Sequence, residues 1–201
     1  MTTTPIDEGT AGEPATQSSS DAGGTRTLLL IVAAGAAVSL AAGVYGRNHT
    51  PTGNNIRTFG FPEVLPMKAW LTTGAVLLAM VQLASASWMF GRLPGVSTDA
   101  PRWAVHGHRW FGTAAFLLTL PVAYHCLWSL GFQDTNGRVL AHSLLGCAFY
   151  GAFTTKMLAL RSDRIPARTL PIVGGLLTAI IVAIWWTSSW WFFTTIGFPG
   201  V

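Results

Sequence analysis

The sequence predicts an all-α protein, an integral membrane bundle of five transmembrane helices. Half of its 201 residues are hydrophobic and a tenth are charged, and the mean hydropathy is +0.44, a balance that would not keep a domain of this length in solution. The charge is also segregated. Of the eight acidic residues, Asp7, Glu8, Glu13 and Asp21 lie in the leader, and Glu63, Asp99, Asp134 and Asp163 fall outside the apolar runs. Finally, the chain after the leader alternates long apolar runs with polar segments rich in Gly, Pro and Asn.

Residues 1–26 combine Thr, Ser, Gly, Pro and acids with almost no large apolar side chain, so they cannot offset their own ordering entropy. They are expected to be a disordered cytoplasmic tail, and residues 27–201 a five-span transmembrane domain. The first span, 27–45, is an Ala-, Leu- and Val-rich run just long enough for a hydrocarbon layer of about 30 Å. A cleaved signal peptide is its rival, opposed by the long acidic leader where a short basic one is usual. The loop GRNHTPTGNNIRTFGFPEVLP follows, too polar for lipid and full of turn residues. The remaining spans are expected at 67–90, 108–130, 139–160 and 171–194, the last opened by Pro171 as suits a first helical turn.

Orientation follows from Lys and Arg near the span ends. With the amino terminus inside, Arg26, Arg92, Arg102, Arg109, Arg161, Arg164 and Arg168 fall inside, and Arg47, Arg57, Lys68 and Arg138 outside. The bias predicts a cell (inner) membrane protein with a cytoplasmic amino terminus and an extracytoplasmic carboxyl terminus. Gly60-Phe61, Gly131-Phe132 and Gly197-Phe198 then share the outer side. After the third and fifth spans such a step suits a helix ended by a left-handed Gly. Trp185, Trp186, Trp190 and Trp191 crowd the outer end of the last span, where amphipathic rings favour the headgroup level. The Arg residues therefore set orientation rather than form a patch, and no nucleic-acid role is expected. Cys126 and Cys147 lie inside spans and read as small packing residues.

Among the five histidines, His125 and His142 stand apart because they sit within apolar helices. An ionisable group at that depth is costly unless it faces the bundle interior and finds a partner. At 1.5 Å of rise per residue, His125 lies about 9 Å short of the helix end near Gly131, and His142 about 5 Å inside the next helix. On antiparallel helices the two imidazoles differ in depth by only about 4 Å. His142 shares a helical face with Gly146, Phe149, Phe153 and Lys156, and Gly146 leaves flat space beside the ring. Pro121, one turn before His125, predicts a bend, and Trp128 an aromatic wall. Two imidazoles at one depth beside a flat space are what a haem b between axial ligands would need, with Arg138, or Arg47 and Arg57 from the first outer loop, on its propionates. The competing reading is that each His only bonds a neighbouring helix. His49 reads as a loop-bonding side chain, and His106 and His108 as part of an interfacial cationic cluster. Lys156 reads as a side chain that snorkels to the inner surface.

The phrases HRWFG, followed by a spaced His, and AHSLLG, which opens the next span, are similar to the pattern of cytochrome b561 and ferric-reductase-type membrane domains. That resemblance implies b-type haem ligated by His125 and His142, with electrons passed to a quinone or redox partner protein. Two-haem cytochromes need four axial His, and this chain has none on its second or fifth span. More of the chain, in GVYGRNHTPTG, RVLAHSLLGCAFYGAFTTKML and TSSWWFFTTIGF, resembles an uncharacterised family of small bacterial multi-pass membrane proteins, which implies the topology and no activity. The functional expectation is a one-haem redox subunit in the lipid bilayer. Its alternative is a cofactor-free accessory or assembly subunit of a membrane complex.

Overall fold

The computed structural model describes residues 15–54, 58–93, 95 and 100–197. These form helices and loops, with no strand among them. Helix α1 covers Ala15–Asn48, α2 Val64–Met89, α3 Arg102–Tyr124, α4 Gly137–Leu160 and α5 Thr169–Trp185. A π-helical segment His125–Leu130 continues α3, and another, Trp186–Trp190, carries α5 into a last α-helical turn at Trp191–Thr195. Four segments are long and apolar enough to cross a membrane: Gly23–Asn48, Val64–Met89, Arg102–Leu130 and Thr169–Thr195. Helix α4 is not among these four; Arg138, His142 and Lys156 dilute its apolar content.

Helix α1 begins at Ala15, inside the stretch expected to be a disordered tail. No proline lies between Pro14 and Asn48, and once the apolar run has nucleated a helix each added residue gains a hydrogen bond. Residues 1–14 of that expected tail, Arg57 and Phe198 lie outside the described residues. Helix α3 likewise starts at Arg102 rather than residue 108, directly after Pro101, because the polar residues before the apolar run are competent helix formers. Asn136 caps α4, its side-chain oxygen accepting from the Val139 amide at 3.0 Å. Pro66 and Pro171 occupy first turns, where a missing N–H is harmless.

The helices alternate in direction. Helices α1, α3 and α5 finish at what we call the upper end, where α2 and α4 begin. Each helix packs on its neighbours in the order α1, α4, α5, α2, α3, and the π-helical end of α3 returns to α1. Helices α3 and α4, although consecutive, do not lie flush on one another. Side chains bridge the gap: Phe116 stacks on Phe153 with ring centres 4.1 Å apart, and the Tyr150 hydroxyl donates to the Thr119 carbonyl at 3.2 Å. Against these side chains Ala75, Ala79, Phe149 and Ile181 form one core cluster. Helices α1 and α4 cross closely, since a Cβ on Gly151 would stand 2.5 Å from the Gly35 carbonyl oxygen. That is backbone approach through small residues, the usual means of association where lipid supplies no hydrophobic drive.

Both π-helical segments have local causes. Pro121 sits inside α3, where its ring removes a backbone donor and crowds the carbonyl four residues back. The second contains no proline, but the Thr187 hydroxyl reaches the Ala183 carbonyl at 2.9 Å and the Ser188 hydroxyl the Ile184 carbonyl at 2.7 Å. Hydroxyls that compete for helix carbonyls bend the helix. At the first segment the freed carbonyls are taken by the loop after α1. The amides of Thr52 and Gly53 donate to Trp128 and Ser129 at 3.4 and 3.2 Å, and the Phe132 amide to Gly46 at 2.8 Å. Gly131 turns the chain there with φ of 71°, and Gly60 and Gly197 are also in the positive-φ region expected of these steps.

Candidate functional site

The site is built at the upper end, where the second π-helical segment faces α2 and α4 and the first lies against α1. His142, one turn into α4, places Nδ1 3.2 Å from the Thr187 hydroxyl oxygen. That hydroxyl already donates to the Ala183 and Ile184 carbonyls, so it accepts from the ring. His142 is therefore protonated on Nδ1 in its neutral form, leaving Nε2 as the acceptor. Arg138 approaches the same residue, donating to the Thr187 carbonyl at 2.6 Å. Its guanidinium carbon lies 4.1 Å from the centre of the Trp191 ring, in cation–π range. Thr187 thus fastens α4 to α5 through both of its oxygens.

His125 begins the π-helical segment of α3 and is 5% exposed. Its Nδ1 is enclosed without a hydrogen-bond partner. Trp128 does not wall it off as expected. The wider turn swings that indole outwards, where it stacks on Tyr124 and on His49, whose centroid is 4.6 Å away. His49 itself bonds the Trp128 carbonyl at 3.2 Å, the loop role read for it. At the lower end His108 is 2.8 Å from the Ser85 hydroxyl.

A cavity of about 90 Å³ lies in the gap between α3 and α4, and every helix contributes to its wall: Ala42, Thr72, Cys126, His142, Gly146 and Ile184 are examples. A Cβ on Gly146 would meet nothing within 4 Å, so the open space read beside His142 is present. His125 and Arg138 do not line this cavity. The volume is below the about 150 Å³ that accepts a benzene ring and the roughly 300 Å³ at which small-molecule pockets begin. As packed, these residues do not fit a haem: one imidazole faces the space, the other is turned away from it, and the space is too small. No group of three or more His, Cys, Asp or Glu side chains that could hold a metal ion occurs among the described residues, a criterion that two axial imidazoles would not meet in any case.

A second cavity, of about 180 Å³, opens above the first and shares Thr72, Val122 and His142 with it. Lys68, Arg138, Ser188 and Ser189 supply its polar wall. In the sequence Lys68 marks only orientation, and nothing there singles out Thr187 or Ser189. Lys68 lies only two residues into the apolar run read as the second span, the one signal that could have marked it.

No curated protein and no solved structure matches the chain. A family of unknown function, DUF6529, matches residues 28–200. Since that match takes in all five helices, α1 from Leu28 onwards, the chain belongs to this family.

Proposed function

We propose that the protein is a five-span inner-membrane protein, amino terminus cytoplasmic and carboxyl terminus outside, that serves as a cofactor-free accessory subunit of a membrane complex. One observation carries the reading. Two of the groups expected to serve a cofactor, His142 and Arg138, each bond Thr187 and so help to hold α4 to the end of α5. A bundle whose buried polar groups fasten its own helices is a scaffold rather than a reaction centre. The reading of α4 as a span is supported by the register of α1 on α4. Gly43 meets Cys147 at one level, Gly35 meets Gly151 and Thr155 further down, and Ile31 packs with Ala159 below that. Helix α4 thus runs beside α1 through the same depth. Its polar residues are tolerable in lipid because they face the bundle.

The redox reading, with haem on His125 and His142, draws its support from the unpartnered Nδ1 of His125. It requires the first π-helical segment to rotate that ring towards Gly146 and the gap between α3 and α4 to widen. A visible spectrum separates the two. Protein purified in detergent from haem-replete cells is expected to show no strong visible band. A band lost in both His125→Ala and His142→Ala would overturn the accessory reading in favour of the redox one.

A further inference from the structure

We propose that the upper cavity is a binding site for a phosphate group, held by Lys68, Arg138 and Ser189. This stands apart from the accessory reading. The charge at this place is uncompensated. Lys68 and Arg138 line one cavity of about 180 Å³ and no acidic side chain does. Among the described residues the ion pair seen is Arg47 with Asp134, on the exposed loops, and Lys68 has no hydrogen-bond partner.

Helix polarity makes the placement stranger. Lys68 and Arg138 stand near the starts of α2 and α4, neither of which has an acid in its first turn; Glu63, at the N-cap of α2, does not line the cavity. Both helices direct the positive ends of their dipoles here, where an acidic residue is the stabilising choice. Two cations at two helix starts lower stability unless an anion joins them.

A further observation points to a ligand independently of charge. Ser189 lines the cavity, is fully buried at 0% exposure, and its hydroxyl has no partner. An unsatisfied buried hydroxyl costs about 1–3 kcal/mol, a loss that a bound acceptor would remove. Arg138 has used one N–H on Thr187 and retains the others of its fork, and Lys68 brings three more donors. Ser188 spends its proton on the Ile184 carbonyl, so the hydroxyl donated to the ligand is that of Ser189. Many donors around one small space suit an oxyanion with several acceptor atoms. The space exceeds the about 150 Å³ that takes a benzene ring, enough for a phosphate. Leu65, Ala69, Val139 and Phe192 complete the wall, so the phosphate can be free or the head of an anionic lipid.

The test uses the full chain in detergent, freed of lipid, and radiolabelled inorganic phosphate in equilibrium dialysis. Wild type should bind saturably, with affinity that falls as salt rises. Lys68→Gln should weaken binding at least tenfold and Ser189→Ala about fivefold. Neither side chain makes a described hydrogen bond, so both variants should fold, with melting temperatures in phosphate-free buffer equal to or above that of the wild type. A lipid arm identifies the source. Phosphatidylglycerol retained by the chain in native mass spectrometry, where phosphatidylcholine is not, and released by phosphate, assigns the site to a lipid head. Phosphate binding without lipid retention assigns it to the free ion. The proposal is overturned if neither phosphate nor phosphatidylglycerol binds, or if Lys68→Gln and Ser189→Ala both leave binding unchanged.

Discussion

Thr187 is the residue on which the upper end of the bundle turns, because its hydroxyl accepts from His142 and its carbonyl from Arg138. Replacing it by the near-isosteric Val keeps the shape and the carbonyl but strands the His142 N–H. We expect Thr187→Val to lower stability in detergent by about 1 kcal/mol, read as a lower melting temperature, whereas His142→Ala combined with Thr187→Val should cost less than the sum of the two. Additive effects would mean that the 3.2 Å contact contributes nothing. Lys156 is the contrasting case. It is half-buried near the lower end of α4, close enough to the helix end to extend its ammonium to the surface. Lys156→Arg should leave membrane level and melting temperature unchanged, and a fall in either would assign Lys156 a buried role.

The α1–α4 crossing is the contact that a single side chain can abolish. A Cβ at Gly151 would lie 2.5 Å from the Gly35 carbonyl oxygen and 2.9 Å from the Ser39 Cβ. The first of those atoms is backbone, so relief requires the helices to part. Gly151→Leu should destabilise by about 3 kcal/mol, at the upper range of overpacking, and make α1 more accessible to protease. Gly174→Leu on α5, where a Cβ meets nothing within 4 Å, should do neither. Equal protease accessibility of the two variants would show that the crossing is not needed to hold α1. The helix positions themselves were readable from runs of apolar residues, and the spacing Gly35, Ser39, Gly43 was visible too. Its meaning was not, since small residues at every fourth position become a contact only against the matching Cys147, Gly151 and Thr155 of another helix.

For the whole chain, the five-span reading makes a direct topological prediction. A reporter fused after Val201 should respond outside the cytoplasmic membrane, and one inserted between Arg161 and Arg168 should respond inside. Both on one side would remove α4 from the membrane, and with it the common depth of His125 and His142. The Lys and Arg count supplied this orientation from sequence alone because it depends on net bias at loop positions and not on how the helices pack.

Composition and hydropathy determined the all-helical class, and Pro121 the loss of regular α-helix near the end of α3, because both are local: apolar runs must bury their backbone groups in helices, and a proline must break a bond in its own turn. The depth of the two imidazoles follows as directly, from a constant rise per residue. Their direction does not. Rotation about the axis accumulates with every residue, so the π-helical segment after Pro121 turns Trp128 outwards and leaves His125 off the cavity that His142 faces. The second such segment sets Thr187 and Ser189 against α4 and α2, and no periodicity in TSSWW announces it. Which polar groups meet was decided only when five helices closed on one another, since contacts between residues distant in sequence depend on every rotation and crossing between them.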